Sequence, residues 1–70
     1  MKTYRLFALD TTGRVDRGFE QAFQNDDDAI RFASGLDDAA LVEVMRGTKL
    51  VARVRHHNGR TTVIANEQAS

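Results

Sequence analysis

Between Asn25 and Leu36 lies the one stretch of this 70-residue chain whose apolar residues recur at helical spacing, and what flanks it reads as strand. Ala29, Ile30, Ala33 and Leu36 make the stripe, and Phe32 widens it. Asn25-Asp26-Asp27-Asp28 opens the helix: Asn25 or Asp26 can cap it, and the other carboxylates suit the positive end of the helix dipole. Gly35 is placed to end it in the left-handed conformation, with Leu36 folding back as its apolar partner. One helix of about two to three turns covers one face of a sheet and no more. The other face is where function has to be sought.

The strands are read from composition and turns. Tyr4 to Leu9 is rich in strand formers and leads into Asp10-Thr11-Thr12-Gly13, a turn cluster with glycine where a positive φ is wanted. Val15 to Phe23 follows, with Val15, Phe19 and Phe23 on one side and Arg17 and Gln21 interrupting it, so the two segments form a hairpin. Leu41 to Met45 and Leu50 to Arg55 are joined by the tight turn Arg46-Gly47-Thr48-Lys49. Asn58-Gly59 is the strongest hairpin signal in the chain, and it folds a fifth strand, starting at Arg60, back on the fourth. Whether that strand pairs within its own chain or with another copy is left open by the sequence. The order is β-β-α-β-β-β: an α+β fold, an antiparallel sheet with one helix on one face. It forms a single domain over residues 1–65, with polar Asn66 to Ser70 expected as a frayed tail. A right-handed crossover through the helix sets the third strand beside the first, giving sheet order 2-1-3-4-5.

Composition narrows the chemistry. There is no cysteine, which excludes disulfides, thiolate zinc sites and cysteine catalysis. Ten basic and ten acidic residues cancel, so no general pull toward nucleic acid or membrane exists. No apolar run approaches the roughly 20 residues that span a bilayer, and the start of the chain is too weakly apolar for an export signal; a cytoplasmic location is expected. The serines, Ser34 and Ser70, have no histidine and acid at triad spacing, and the five glycines are isolated at turns rather than gathered in a phosphate loop. Adjacent strand residues His56 and His57 point to opposite faces and do not share an ion. The expectation is a non-catalytic protein with no cofactor and no metal.

Alternation sorts the strand residues into two sets. Tyr4, Leu6, Ala8, Val42, Val44, Leu50, Ala52 and Val54 face the helix. The opposite side receives Arg5, Phe7, Leu9, Leu41, Glu43, Met45, Val51, Arg53 and Arg55. There Phe7, Leu9, Met45 and Val51 make an apolar centre, with Arg5, Glu43 and Arg53 as a polar rim, suited to another protein and most simply to a second copy. The alternative rests on charge distribution. Residues 26–43 hold one base and six acids, whereas residues 44–67 hold five bases and one acid. Arg46, Lys49, Arg53, Arg55 and Arg60 would then contact nucleic-acid phosphates, with Tyr4 or Phe7 offering a stacking surface.

Tyr4-Arg5-Leu6-Phe7, Leu9-Asp10, Gly13-Arg14-Val15, Asp26-Asp27-Asp28-Ala29-Ile30, Val42-Glu43-Val44-Met45 and Leu50-Val51-Ala52-Arg53 together resemble a group of short uncharacterised alphaproteobacterial proteins. The resemblance covers roughly residues 3–55 and implies no activity, cofactor or catalytic residue. Those proteins tend to carry tryptophan or a similar aromatic where Met45 stands, and many stop soon after the position of Arg55.

Overall fold

The computed structural model describes residues 1–65; the expectation for Asn66–Ser70 lies outside the described residues. The elements run β1 (Lys2–Leu9), β2 (Val15–Phe23), α1 (Asp26–Ser34), β3 (Leu41–Arg46), β4 (Lys49–His57) and β5 (Arg60–Ala65). All five strands form one antiparallel sheet in the order β2-β1-β3-β4-β5, so the fold is α+β as the pattern of segments required. β5 pairs with β4 of its own chain, which answers the question the sequence left open.

Each turn has a local cause. At Asp10–Gly13 the Asp10 carboxylate accepts from the Thr12 amide and hydroxyl (2.9 and 2.6 Å) and from the Arg14 amide (3.0 Å), while Gly13 takes a φ of 85°. These bonds, the Thr12 hydroxyl's foremost, hold the carboxyl below its ordinary range. Asn58 and Gly59, with φ of 52° and 76°, close β4–β5 in the two-residue turn whose twist matches the strands.

The helix is capped by Asn25, whose side chain accepts from the Asp28 amide at 2.9 Å. Its far end differs from expectation. Gly35 is not left-handed but continues right-handed at φ −83°, ψ −8°. The last turn tightens instead: Gly35 N–H bonds to the Phe32 carbonyl and Leu36 N–H to the Ala33 carbonyl, satisfying the terminal acceptors without a reversal.

The core lies between α1 and the near face of the sheet. Tyr4, Leu6, Ala8, Val42, Val44, Ala52 and Val54 are fully buried against Ala29 and Ala33. Phe23, Phe32 and Phe19 extend the packing as a string of tilted and edge-on rings, with Tyr4 joining at a 5.7 Å centroid distance from Phe23. The Tyr4 hydroxyl, at the rim, donates to Asp26 at 2.5 Å. Burial, then this bond, pushes its pKa up to about 12.

Two bulges move residues away from strict alternation. Ala8 is opposite Arg17 but Leu9 is opposite Val15, so Asp16 is the extra residue and Val15 stands with Leu9, on the side away from Phe19 and Phe23. Likewise Val44 is opposite Ala52 but Met45 is opposite Leu50, with Val51 between. Leu50 and Val51 therefore exchange their expected places: Leu50 comes to the open face beside Met45, and Val51, 8% exposed, joins the buried core.

Candidate functional site

With α1 on one side, the opposite face of the sheet is laid out by the cross-strand register. One row reads Val15, Leu9, Leu41, Arg55, Thr62; the next Gly18, Phe7, Glu43, Arg53, Ile64; the third Glu20, Arg5, Met45, Leu50. Of the expected apolar centre, Phe7, Leu9 and Met45 stand on this face, each half-buried. Val51 does not, because of the bulge; Leu50 replaces it, and Leu41 and Val15 extend the band. Val15 and Ile64 are 60% and 50% exposed, among the most exposed large apolar side chains described.

Phe7 is the only aromatic residue here, since Tyr4, Phe19, Phe23 and Phe32 all pack on the helix side. Its ring stands against Gly18: a Cβ on residue 18 would come within 3.2 Å of Phe7 Cδ1. Gly18 is thus not at a turn, as expected of all five glycines, but inside β2, where a glycine is unfavourable, and there it makes room for the ring. Nothing in the sequence marks this contact, because it depends on a register that a reader of β1 and β2 separately cannot fix.

The expected rim residues are paired on the face itself. Arg5 Nε lies 3.0 Å from Glu20 Oε2, directly across the β1–β2 ladder, and Arg53 Nε lies 3.3 Å from Glu43 Oε2 across β3–β4. Glu20 is the residue the sequence reading missed. The signal available was its charge alone, since the pairing follows from register.

The five basic residues considered for nucleic acid do not form one patch. Arg46 is on the helix side, 3.8 Å from Asp26, and Lys49 is opposite it at the same end of the sheet. Arg53, Arg55 and Arg60 lie on the open side of β4 and β5, with Arg53 about 13 Å and Arg55 about 20 Å along the strand from Lys49 at ~3.3 Å per residue. Arg55 and Arg60 have no ion-pair partner among the described residues.

The sheet end nearest Arg60 carries two adjoining hollows, about 540 and 630 Å³, both lined by Thr11, Ala40, His56, His57 and Arg60. Several of the polar groups there are engaged in the fold. His56 donates its amide to the Ala40 carbonyl, and its ring bridges the Thr61 hydroxyl (3.1 Å) and the Ala33 carbonyl (3.5 Å); Asp38 pairs with Arg17 at 2.9 Å. The Ser34 hydroxyl donates to the Ile30 carbonyl. Among the described residues no group of three or more His, Asp or Glu is placed to hold a metal ion, and no helix is long and apolar enough to cross a membrane. No protein-family model, curated protein or solved structure matches this chain.

Proposed function

We propose that this chain is a small non-catalytic interaction module that associates with a second copy through the open face of its sheet, with Phe7 at the centre of the contact. The observation that supports this most is the internal pairing of two of the face's arginines, Arg5 and Arg53; Arg55 and Arg60, toward one end of that side, have no such partner among the described residues. Arg5 with Glu20 and Arg53 with Glu43 are already compensated, so covering the face leaves neither pair with a lone buried charge. The apolar band then supplies the driving force. A strongly charged partner gains little there, and a like copy of zero net charge meets no overall repulsion. Size fits as well: long and middle extents of 31 and 24 Å compare with the ~800 Å² each partner gives to a standard interface.

Sedimentation velocity over a wide concentration range tests the reading. The parent chain should associate, and the association should persist or strengthen in high salt. Phe7→Asp or Met45→Asp should abolish the face contact with circular dichroism unchanged. If both variants sediment as the parent does at every concentration, the face is not the contact.

A second reading keeps a narrower footing in Arg53, Arg55 and Arg60, which share one side of β4 and β5. As a nucleic-acid surface they predict binding that falls steeply with salt and disappears on charge reversal at Arg55 and Arg60. Binding indifferent to salt would remove it.

A further inference from the structure

The two edges of the sheet differ in protection. β2 carries Asp16, Arg17 and Glu20, a bulge at Asp16, and side chains tied down by Asp38 and Arg5. These are the devices that keep an edge from pairing with a stranger. β5 has none of them beyond Arg60: Thr61-Thr62-Val63-Ile64-Ala65 is uncharged, regular and free of proline.

Val63 and Ile64 are 43% and 50% exposed on that strand, and they stand on opposite faces. Val63 is across from buried Val54, on the helix side; Ile64 is across from Arg53, on the open side. A partner laid on the open face covers Ile64 and leaves Val63 in water. A strand added at the edge covers both.

The backbone is ready for such a strand. A two-residue turn makes His57–Arg60 a hydrogen-bonded pair, so the alternation puts Arg55–Thr62 and Arg53–Ile64 in the same class. The amide of His56, in the other class, indeed bonds away from β5, to Ala40. Thr61, Val63 and Ala65 therefore direct their N–H and C=O groups outward from the sheet edge.

From these observations we infer that β5 pairs antiparallel with β5 of a second copy, centred on Val63. Thr62 then stands opposite Ile64 of the other copy, Thr61 opposite Ala65, and no like charges oppose each other. The identical segment is its own complement, which is why a second copy rather than another protein is the occupant. The two-fold axis is perpendicular to the sheet, so both open faces lie on the same side as one continuous surface. This goes beyond the face contact, whose axis lies parallel to the sheet. A chain making both contacts with intersecting axes closes as a tetramer and does not grow into a fibre.

Amide exchange and sedimentation, run in the parent and in the Phe7→Asp background, test the edge separately from the face. In dilute solution the Thr61 and Val63 amides should exchange quickly beside slow Thr62 and Ile64. At associating concentrations all of them should become slow, in both backgrounds. Val63→Pro removes an outward donor and spares the β4–β5 ladder. It should weaken association in the Phe7→Asp background about tenfold or more, a loss of about 1.4 kcal/mol. Should the proline variant lose its circular dichroism, Val63→Lys serves in its place. If Phe7→Asp changes nothing while Val63→Pro dissociates the parent, the edge stands and the face reading falls. If Thr61 and Val63 stay fast at full association, or both Val63 variants associate as the parent does, the edge inference is overturned.

Discussion

The two faces of this sheet are built from the same five strands and have opposite characters. On the helix side the strands supply Tyr4, Leu6, Ala8, Val42, Val44 and Val54, fully buried, and the one hydroxyl among them is bonded to Asp26. On the open side the strands alternate Phe7, Leu9, Leu41 and Met45 with Arg5, Glu43 and Arg53, half-buried or exposed. The first arrangement maximises apolar burial and leaves no buried side-chain polar atom unpaired among the described residues. The second pairs Arg5 with Glu20 and Arg53 with Glu43 and leaves its apolar groups partly exposed beside them. On the proposed reading, stability belongs to one face and association to the other, and substitutions should separate them.

The largest effect should come from the covered side. Leu6→Ala opens a cavity in a fully buried position and should cost about 3 kcal/mol or more in urea unfolding. That is a large share of what a domain of this size has, so the variant should be largely unfolded when warmed. Phe7→Ala, one residue away on the other face, should cost less in the dilute monomer while weakening association more. If the two changes cost the same in folding and neither touches association, the division between faces is wrong.

Tyr4 sharpens the comparison at the polar rim of the core. It is the only tyrosine in the chain, so tyrosinate absorbance reports on it alone. The phenol should titrate at about 12 in the folded protein and near 10 in denaturant. Because the folded value is raised, the stability this contributes is fully present below pH 10 and is lost as the pH rises through about 12. Tyr4→Phe should remove that alkaline dependence and cost about 1 kcal/mol at neutral pH, the typical net worth of a hydrogen bond. A phenol that titrates near 10 in the folded state would show that the hydroxyl is neither buried nor held by Asp26.

The element order, the strand order and the Asn58–Gly59 turn were legible because each depends on local chemistry: propensity, periodicity, or a backbone that tolerates positive φ. The helix-side residues followed from alternation for the same reason, except where a bulge intervened. Val15, Leu50 and Val51 were misplaced because an inserted residue is a property of a pair of strands, and neither strand alone announces it. The Phe7–Gly18 contact and the Arg5–Glu20 pair belong to the same class, since both rest on register. On the open side the residue types were legible and their pairing was not. Gly35 failed differently: a tightened last turn satisfied the helix end, and the left-handed option was not needed.

The smallest effect on folding should come from the ion pairs on the open face. Glu43 and Arg53 lie across from each other at 3.3 Å, both partly solvated, and in the monomer such a pair is worth about 0.2–1 kcal/mol. Glu43→Gln and Arg53→Gln should each change unfolding by no more than that. In association their effects should be larger, because either substitution leaves the remaining charge to be buried alone beside the apolar band. The double variant, with neither charge, should associate better than either single one. A double-mutant cycle run on both folding and association therefore separates the two roles. Coupling that is equally small in both would mean the pair stays in water when two copies meet, and would move the contact away from the β3–β4 side of the face.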